Sequence, residues 1–241
     1  MNIVKLIMYL FFTFLLFSCS SVNNDKLGPN ILTDNEIKDG WKLLFDGKSL
    51  DKWKNFKHPE IVAGWIAEDG AIVALGEGSD SKGDIITKEQ FGNFDLKIEW
   101  KISKEGNSGI FYGIIEEGFN KVYETGPECQ VLDDVNFPDP LEEWQKAGAD
   151  YAMHLPNNKK KLMPVGEWNS SRIVVQDSLV QHWLNSEKII EFKRWTPEWK
   201  EKRATGKWKD FPSYGLAKKG HIGLQDHGNK IWFRNIKIKE L

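Results

Sequence analysis

Cysteine is nearly absent from this chain of 241 residues, which has only Cys19 and Cys129. That rules out a disulfide framework, and no Cys/His spacing matches a structural zinc site. No short metal-ligand motif such as H-E-x-x-H occurs. No apolar run reaches the roughly 20 residues a membrane-spanning helix needs, since the longest ends within the first 17 positions. Charge of one sign is also lacking: 33 Lys and Arg stand against 35 Asp and Glu, a net charge of −2. A surface so balanced offers nothing to nucleic acid, and the short Lys159-Lys160-Lys161 cluster reads as a solvated loop. No sustained 3.6-residue periodicity and no internal repeat is found.

The early apolar run follows a single charge, Lys5, and closes on Leu16-Phe17-Ser18-Cys19. A charged start, an apolar middle and a small residue before cysteine have the layout of a bacterial lipoprotein signal. Cleavage before Cys19 would leave that residue to be lipidated, and Ser20 gives no inner-membrane retention signal. The expected location is therefore the cell envelope at the outer membrane, with membrane contact through the lipid anchor only. Residues 1–18 are read as signal, 19–39 as a flexible tether, and 40–241 as one domain. Cys129 is then a lone, small buried hydrophobe.

From Trp41 onward the chain consists of short apolar or alternating runs separated by turn residues. Examples are Ala71 to Leu75, Phe94 to Ile102, Gly109 to Ile115, Glu128 to Leu132, Leu179 to Leu184 and Lys230 to Ile238. Many short strands at close spacing point to an all-β sandwich or jelly roll. Two stretches, Pro140 to Ala149 and Glu198 to Phe211, are expected as short helical insertions beside the site loops. The eleven tryptophans are mostly core residues, with a few available to stack on sugar rings.

Alternation assigns faces. In Glu128-Cys129-Gln130-Val131 the apolar pair takes the core, which leaves Glu128 and Gln130 on an open sheet face. In Asp95 to Trp100 the same logic turns Leu96, Ile98 and Trp100 inward, and Glu99 is expected to share the open face.

Several blocks together resemble the 3-keto-disaccharide hydrolase family. They are Gly40-Trp41-Lys42-Leu43-Leu44-Phe45-Asp46-Gly47, Asn107-Ser108-Gly109-Ile110-Phe111, Tyr123 to Asp133, Gly166 to Arg172, His182-Trp183-Leu184-Asn185, Gly220 to Gly228 and Trp232 to Ile236. The resemblance covers about residues 40 to 241. It implies a concanavalin A-like, laminarinase-type jelly-roll β-sandwich and an enzyme that cleaves glycosides oxidised at C3, by hydrolysis or by elimination followed by hydration. Phe111-Tyr112-Gly113 departs from the family's aliphatic-arginine ending of that strand, and Asn185-Ser186 replaces its Asn-Gly hairpin turn.

A C3 ketone acidifies the C2 proton, so the chemistry needs a base, an acid for the leaving oxygen and donors for the enolate. His182 and His227 are the base candidates, although His182 lies between apolar neighbours and reads equally as a satisfied core histidine. Glu128 is the leading carboxylate, acting as acid or base or holding a sugar hydroxyl, with Asp133 at the end of the same strand. Gln130 and Gln225 suit hydroxyl recognition. Arg172 either clamps an oxygen or pairs with a surface carboxylate, and Glu99 is a further substrate contact. Asp226 either orients His227 or closes its turn. His154 lies in an insertion able to fold over the site. The His and carboxylate groups leave room for a divalent metal, but no cofactor is assigned. The expected partner is an oligosaccharide or glycoside. The other class considered is a non-catalytic carbohydrate-binding lipoprotein on the same fold.

Overall fold

Phe94, Leu96, Ile98, Trp100 and Ile102 are all buried, alternating with outward Asp95, Lys97, Glu99 and Lys101 along one nine-residue strand. That strand, β6 (Phe94–Ile102), is central to the larger of two sheets in this computed structural model, which describes residues 28–62, 64–76 and 83–241. In chain order the other elements are α1 (Asp34–Lys38), β1 (Lys42–Leu43), β2 (Trp53–Asn55), β3 (Trp65–Glu68), β4 (Ala71–Ala74), β5 (Ile85–Thr87), β7 (Asn107–Ile114) and β8 (Glu128–Leu132). They continue with β9 (Asn169–Gln176), β10 (Leu179–Leu184), β11 (Glu187–Lys193), α2 (Pro197–Thr205), β12 (His221–Leu224) and β13 (Ile231–Glu240).

The eight-stranded sheet runs β11-β10-β9-β6-β13-β4-β3, with β1 pairing β13; the five-stranded sheet runs β2-β5-β12-β7-β8. All the strand pairs are antiparallel. The inner faces meet in one core in which Leu96, Ile98 and Trp100 oppose Ile110, Tyr112, Cys129, Val131 and Leu224. This is an all-β, jelly-roll-type sandwich. A register shift between Arg234 and Lys237 lets both Phe233 and Ile236 reach that core, because one extra residue changes which side faces inward.

The helical insertions are short. The first contributes only the single turn Glu143–Gln145, and the second forms α2. α2 starts on the Thr196 side chain, with Pro197 at its first position, an arrangement suited to a chain whose first amides lack helical acceptors.

The described part of the expected tether is folded onto the domain. Asn30 and Asn235 exchange hydrogen bonds of 2.6 and 2.9 Å, and Asn30 Nδ2 donates to the Gly70 carbonyl. Thr33 and Glu36 form a reciprocal cap on α1, and Lys237 pairs with Glu36 at 3.0 Å. Local capping and one buried asparagine therefore override the polar composition that suggested a linker. The signal segment and Cys19 lie outside the described residues.

Candidate active site

Glu128 and Gln130 point away from the core of β8, as alternation requires, onto the outer face of the five-stranded sheet. They line a cleft of about 370 Å³ together with Asn107, Gln225 and His227. Its wall is aromatic: Tyr123, Tyr151, Trp208 and Phe211. Tyr123 meets Phe211 edge-on, and Trp208 is braced from behind by Tyr214, stacked at 4.2 Å and 11°. Beyond Tyr123, Gln225 and His227 the cleft continues into a polar end containing Lys57, Asp84, Lys121 and Asp226.

The Glu128 carboxyl is buried at 5 % exposure. It fits because residue 109 on the neighbouring strand is glycine: a Cβ there would come within 2.1 Å of Oε1. Burial pushes the Glu128 pKa up to about 8; the charge of Asp84 adds to this, Lys207 opposes it, and Asp150 adds again. Desolvation thus dominates, and Glu128 carries its proton at neutral pH. Lys207 is anchored by donating to the Tyr151 hydroxyl at 2.9 Å and lies 4.1 Å from that ring's centroid. His227 is exposed at the rim. Asn107 Oδ1 and Gln225 Oε1 are buried acceptors without a donor among the described residues, so both are available to sugar hydroxyls.

Of the residues singled out in the sequence, the cleft gathers Glu128, Gln130, Gln225 and His227. Gln130 has a second task, because its Nε2 donates to the Gln145 carbonyl and ties down the first insertion.

His182, Asp133, Arg172 and Glu99 lie elsewhere. His182 is fully buried on β10 in the eight-stranded sheet. Its Nδ1 faces the Gly148 carbonyl and its Nε2 the Tyr112 hydroxyl, each at 3.3 Å. A carbonyl only accepts, so Nδ1 carries the hydrogen and Tyr112 donates to Nε2. Burial lowers the pKa of His182, outweighing the charge of Asp150 and the Gly148 carbonyl. It is a neutral strut between the sheets rather than a base in the cleft.

Asp133 closes the turn after β8, accepting from the backbone amides of Glu105, Val135 and Asn136. Burial acts to raise its pKa, but those amides outweigh it and hold the carboxyl below its ordinary range. Arg172 forms a two-pronged pair with Asp95 at 2.7 and 2.8 Å, and Glu99 pairs with Arg234 at 2.7 Å. Both line a separate groove on the outside of the other sheet. Strand alternation assigned Glu99 to an outer face correctly but could not tell which sheet that face belonged to. Asp226 accepts from Gly228 N at 3.0 Å, the turn-closing role.

Asn107, Tyr123, Tyr151, Lys207, Trp208, Phe211 and Asp84 were not singled out from the sequence. The signals for the wall are the family block that opens on Tyr123 and the second insertion, which holds Trp208 and Phe211; Tyr151 has none. Among the described residues, no group of three or more His, Cys, Asp or Glu converges to hold a metal.

The cleft thus sets a protonated carboxyl and an anchored ammonium beside an aromatic wall, on a two-sheet sandwich, the groups that a glycoside-acting enzyme needs. Comparisons specify the kind. The chain belongs to the 3-keto-alpha-glucoside-1,2-lyase-like domain family, whose model matches residues 40–239. It is 34% identical over 231 residues to a 3-keto-disaccharide hydrolase of Bacteroides thetaiotaomicron, covering 84% of this chain and 79% of that protein. The crystal structure of a candidate glycosyl hydrolase from Parabacteroides distasonis superimposes with a TM-score of 0.83 at 43% identity, covering 89% of this chain and all of that one. A second protein of that organism, described in the same way, gives a TM-score of 0.64 at 30% identity, covering 83% of this chain and 99% of that one.

Proposed function

We propose that the protein cleaves the glycosidic bond of 3-keto glycosides by elimination across C1 and C2, with Glu128 as the acid. The observation that carries this reading is the buried Glu128 carboxyl, which holds its proton to about pH 8 while facing the cleft. His227 removes the C2 proton, and the electron pair forms an enolate with the C3 carbonyl. As C1=C2 forms, the C1–O bond breaks and Glu128 protonates the departing oxygen. The products are a 2-hydroxy-3-keto-glycal and a free alcohol or sugar; addition of water to the glycal completes a net hydrolysis. Lys207 and the cleft amides supply donors for the enolate oxygen, and the aromatic wall receives the sugar face.

Incubating the protein with a 3-keto disaccharide and following the glycal and released sugar tests this reading. Glu128→Gln and His227→Ala should each lower turnover by about 100-fold or more. Full turnover in Glu128→Gln would remove the acid role, and saturable sugar binding without turnover would make the protein a binder. The Leu16-Phe17-Ser18-Cys19 run supports a further part of this proposal, that the protein is lipidated at Cys19 and held at the outer membrane. Radiolabelled palmitate incorporated by wild type but not by Cys19→Ala would support that location.

A further inference from the structure

Behind the cleft lies a buried group that the elimination above does not use. Asp150 is 1 % exposed, and its Oδ2 lies 2.8 Å from His154 Nδ1. The backbone reinforces this contact: His154 N donates to the Asp150 carbonyl at 2.9 Å and Asp150 N to the His154 carbonyl at 3.1 Å. The turn so closed holds Ala152 at φ 59°, a left-handed conformation that a residue with a Cβ avoids. It also carries Tyr151. The Tyr151 amide donates to the Glu128 carbonyl at 3.0 Å, its own carbonyl accepts from Trp208 Nε1 at 3.1 Å, and its hydroxyl receives Lys207. Acid, wall and cation therefore all meet on the residue next to Asp150. The second oxygen, Asp150 Oδ1, is buried with no hydrogen-bond partner among the described residues, as is the Tyr214 hydroxyl. An unsatisfied buried carboxylate oxygen is unfavourable and calls for an explanation.

We propose that Asp150, clasped by His154, is a positioning residue of the active site: it locks the turn that presents Tyr151 and sets a negative charge behind Glu128. The groups around it are consistent with that role. Glu128 faces Asp84 from the loop before β5, Lys207 from beyond α2, and Asp150. The charge of Asp150 also acts on Tyr112 on β7, Cys129 on β8, His182 on β10, Arg194 beyond β11 and Tyr214. Of the carboxylates acting on Glu128, Asp84 lies at the cleft's polar end, whereas Asp150 is sealed from solvent.

The proposal rests on Glu128 being the acid, so the test separates the two. In the full chain, the Glu128 carboxyl is titrated by ¹³C NMR without substrate, assigned by its loss in Glu128→Gln, alongside kcat/KM against pH. Asp150→Asn should move the Glu128 midpoint and the alkaline limb of kcat/KM toward acid, by less than Asp84→Asn does. His154→Ala keeps the carboxylate but opens the clasp, and should raise KM about threefold or more while the midpoint stays. An unmoved midpoint in folded Asp150→Asn would overturn the proposal. If that variant does not fold, an unchanged KM in His154→Ala would overturn it. Neither result bears on the acid role, which fails only if Glu128→Gln retains turnover.

Discussion

The Glu128 carboxyl occupies the space a side chain at residue 109 would fill, with Oε1 only 2.1 Å from the position of a Gly109 Cβ. The acid on β8 is placed by an absence on β7. Gly109→Ala should leave the fold intact, because the clashing atoms belong to a side chain that can swing aside, but it should displace the acid. We expect kcat/KM to fall about 10- to 100-fold with unchanged circular dichroism. Wild-type activity in the variant would mean that the carboxyl need not sit where it is seen.

Glu128 is held neutral to about pH 8 in the fold, against 4.5 for an ordinary glutamate. As pH rises, the unfolded chain releases this proton first, so the group opposes folding progressively between the two values. Glu128→Gln is therefore expected to be more stable than wild type at pH 8, by on the order of a few kcal/mol, and nearly equal to it at pH 4. Denaturant titrations at the two pH values measure the difference, and equal stabilities at pH 8 would contradict the buried, proton-holding acid.

Lys207 lowers the proton affinity of Glu128. Removing its charge while keeping its length, in Lys207→Met, should move the alkaline limb of the rate profile further toward base. The same change removes a donor for the enolate, so kcat should drop about 100-fold. A shift of the limb toward acid would show that the ammonium does not face Glu128.

Asn185 and Ser186 join β10 to β11 with φ of 47° and 71°, the two left-handed residues of a tight hairpin. Serine bears a cost there that glycine does not. Ser186→Gly should add about 0.5–1 kcal/mol of stability and leave turnover unchanged, read by thermal unfolding. Destabilisation would point to a contact of the serine side chain that outweighs its backbone strain.

Much of the fold can be read from residue order alone. Period-two alternation in Phe94 to Ile102 matches β6, and the pattern Glu128-Cys129-Gln130-Val131 separates core from cleft as the structure does. What alternation cannot convey is which sheet a strand joins. Glu99 faces outward as expected, but from the opposite sheet, where Arg234 neutralises it, and Arg172 takes the second of its two expected roles there by pairing with Asp95. His182 shows the same limit from the other side: its apolar neighbours mark it as interior, and its partners, Tyr112 and Gly148, come from distant segments. Tyr151, Lys207 and Trp208 were less legible still. They reach the cleft through irregular insertions whose packing follows no period, and only tertiary contacts bring them beside Glu128.

The cleft has a floor and a wall of different origin. The floor, with Gly109, Glu128 and Gln130, is sheet, and each of these residues is fixed by ladder hydrogen bonds on the strands beside it. The wall comes from the irregular connections: Tyr123 from between β7 and β8, Tyr151 from between β8 and β9, and Trp208 and Phe211 from the excursion between β11 and β12. Fit is therefore separable from the position of the sheet-borne carboxyl, though not from Lys207, which stands beside Trp208. Replacing Trp208 and Phe211 while keeping Lys207, which the same excursion carries, would alter which sugar rings the cleft admits while Glu128 stays where it is.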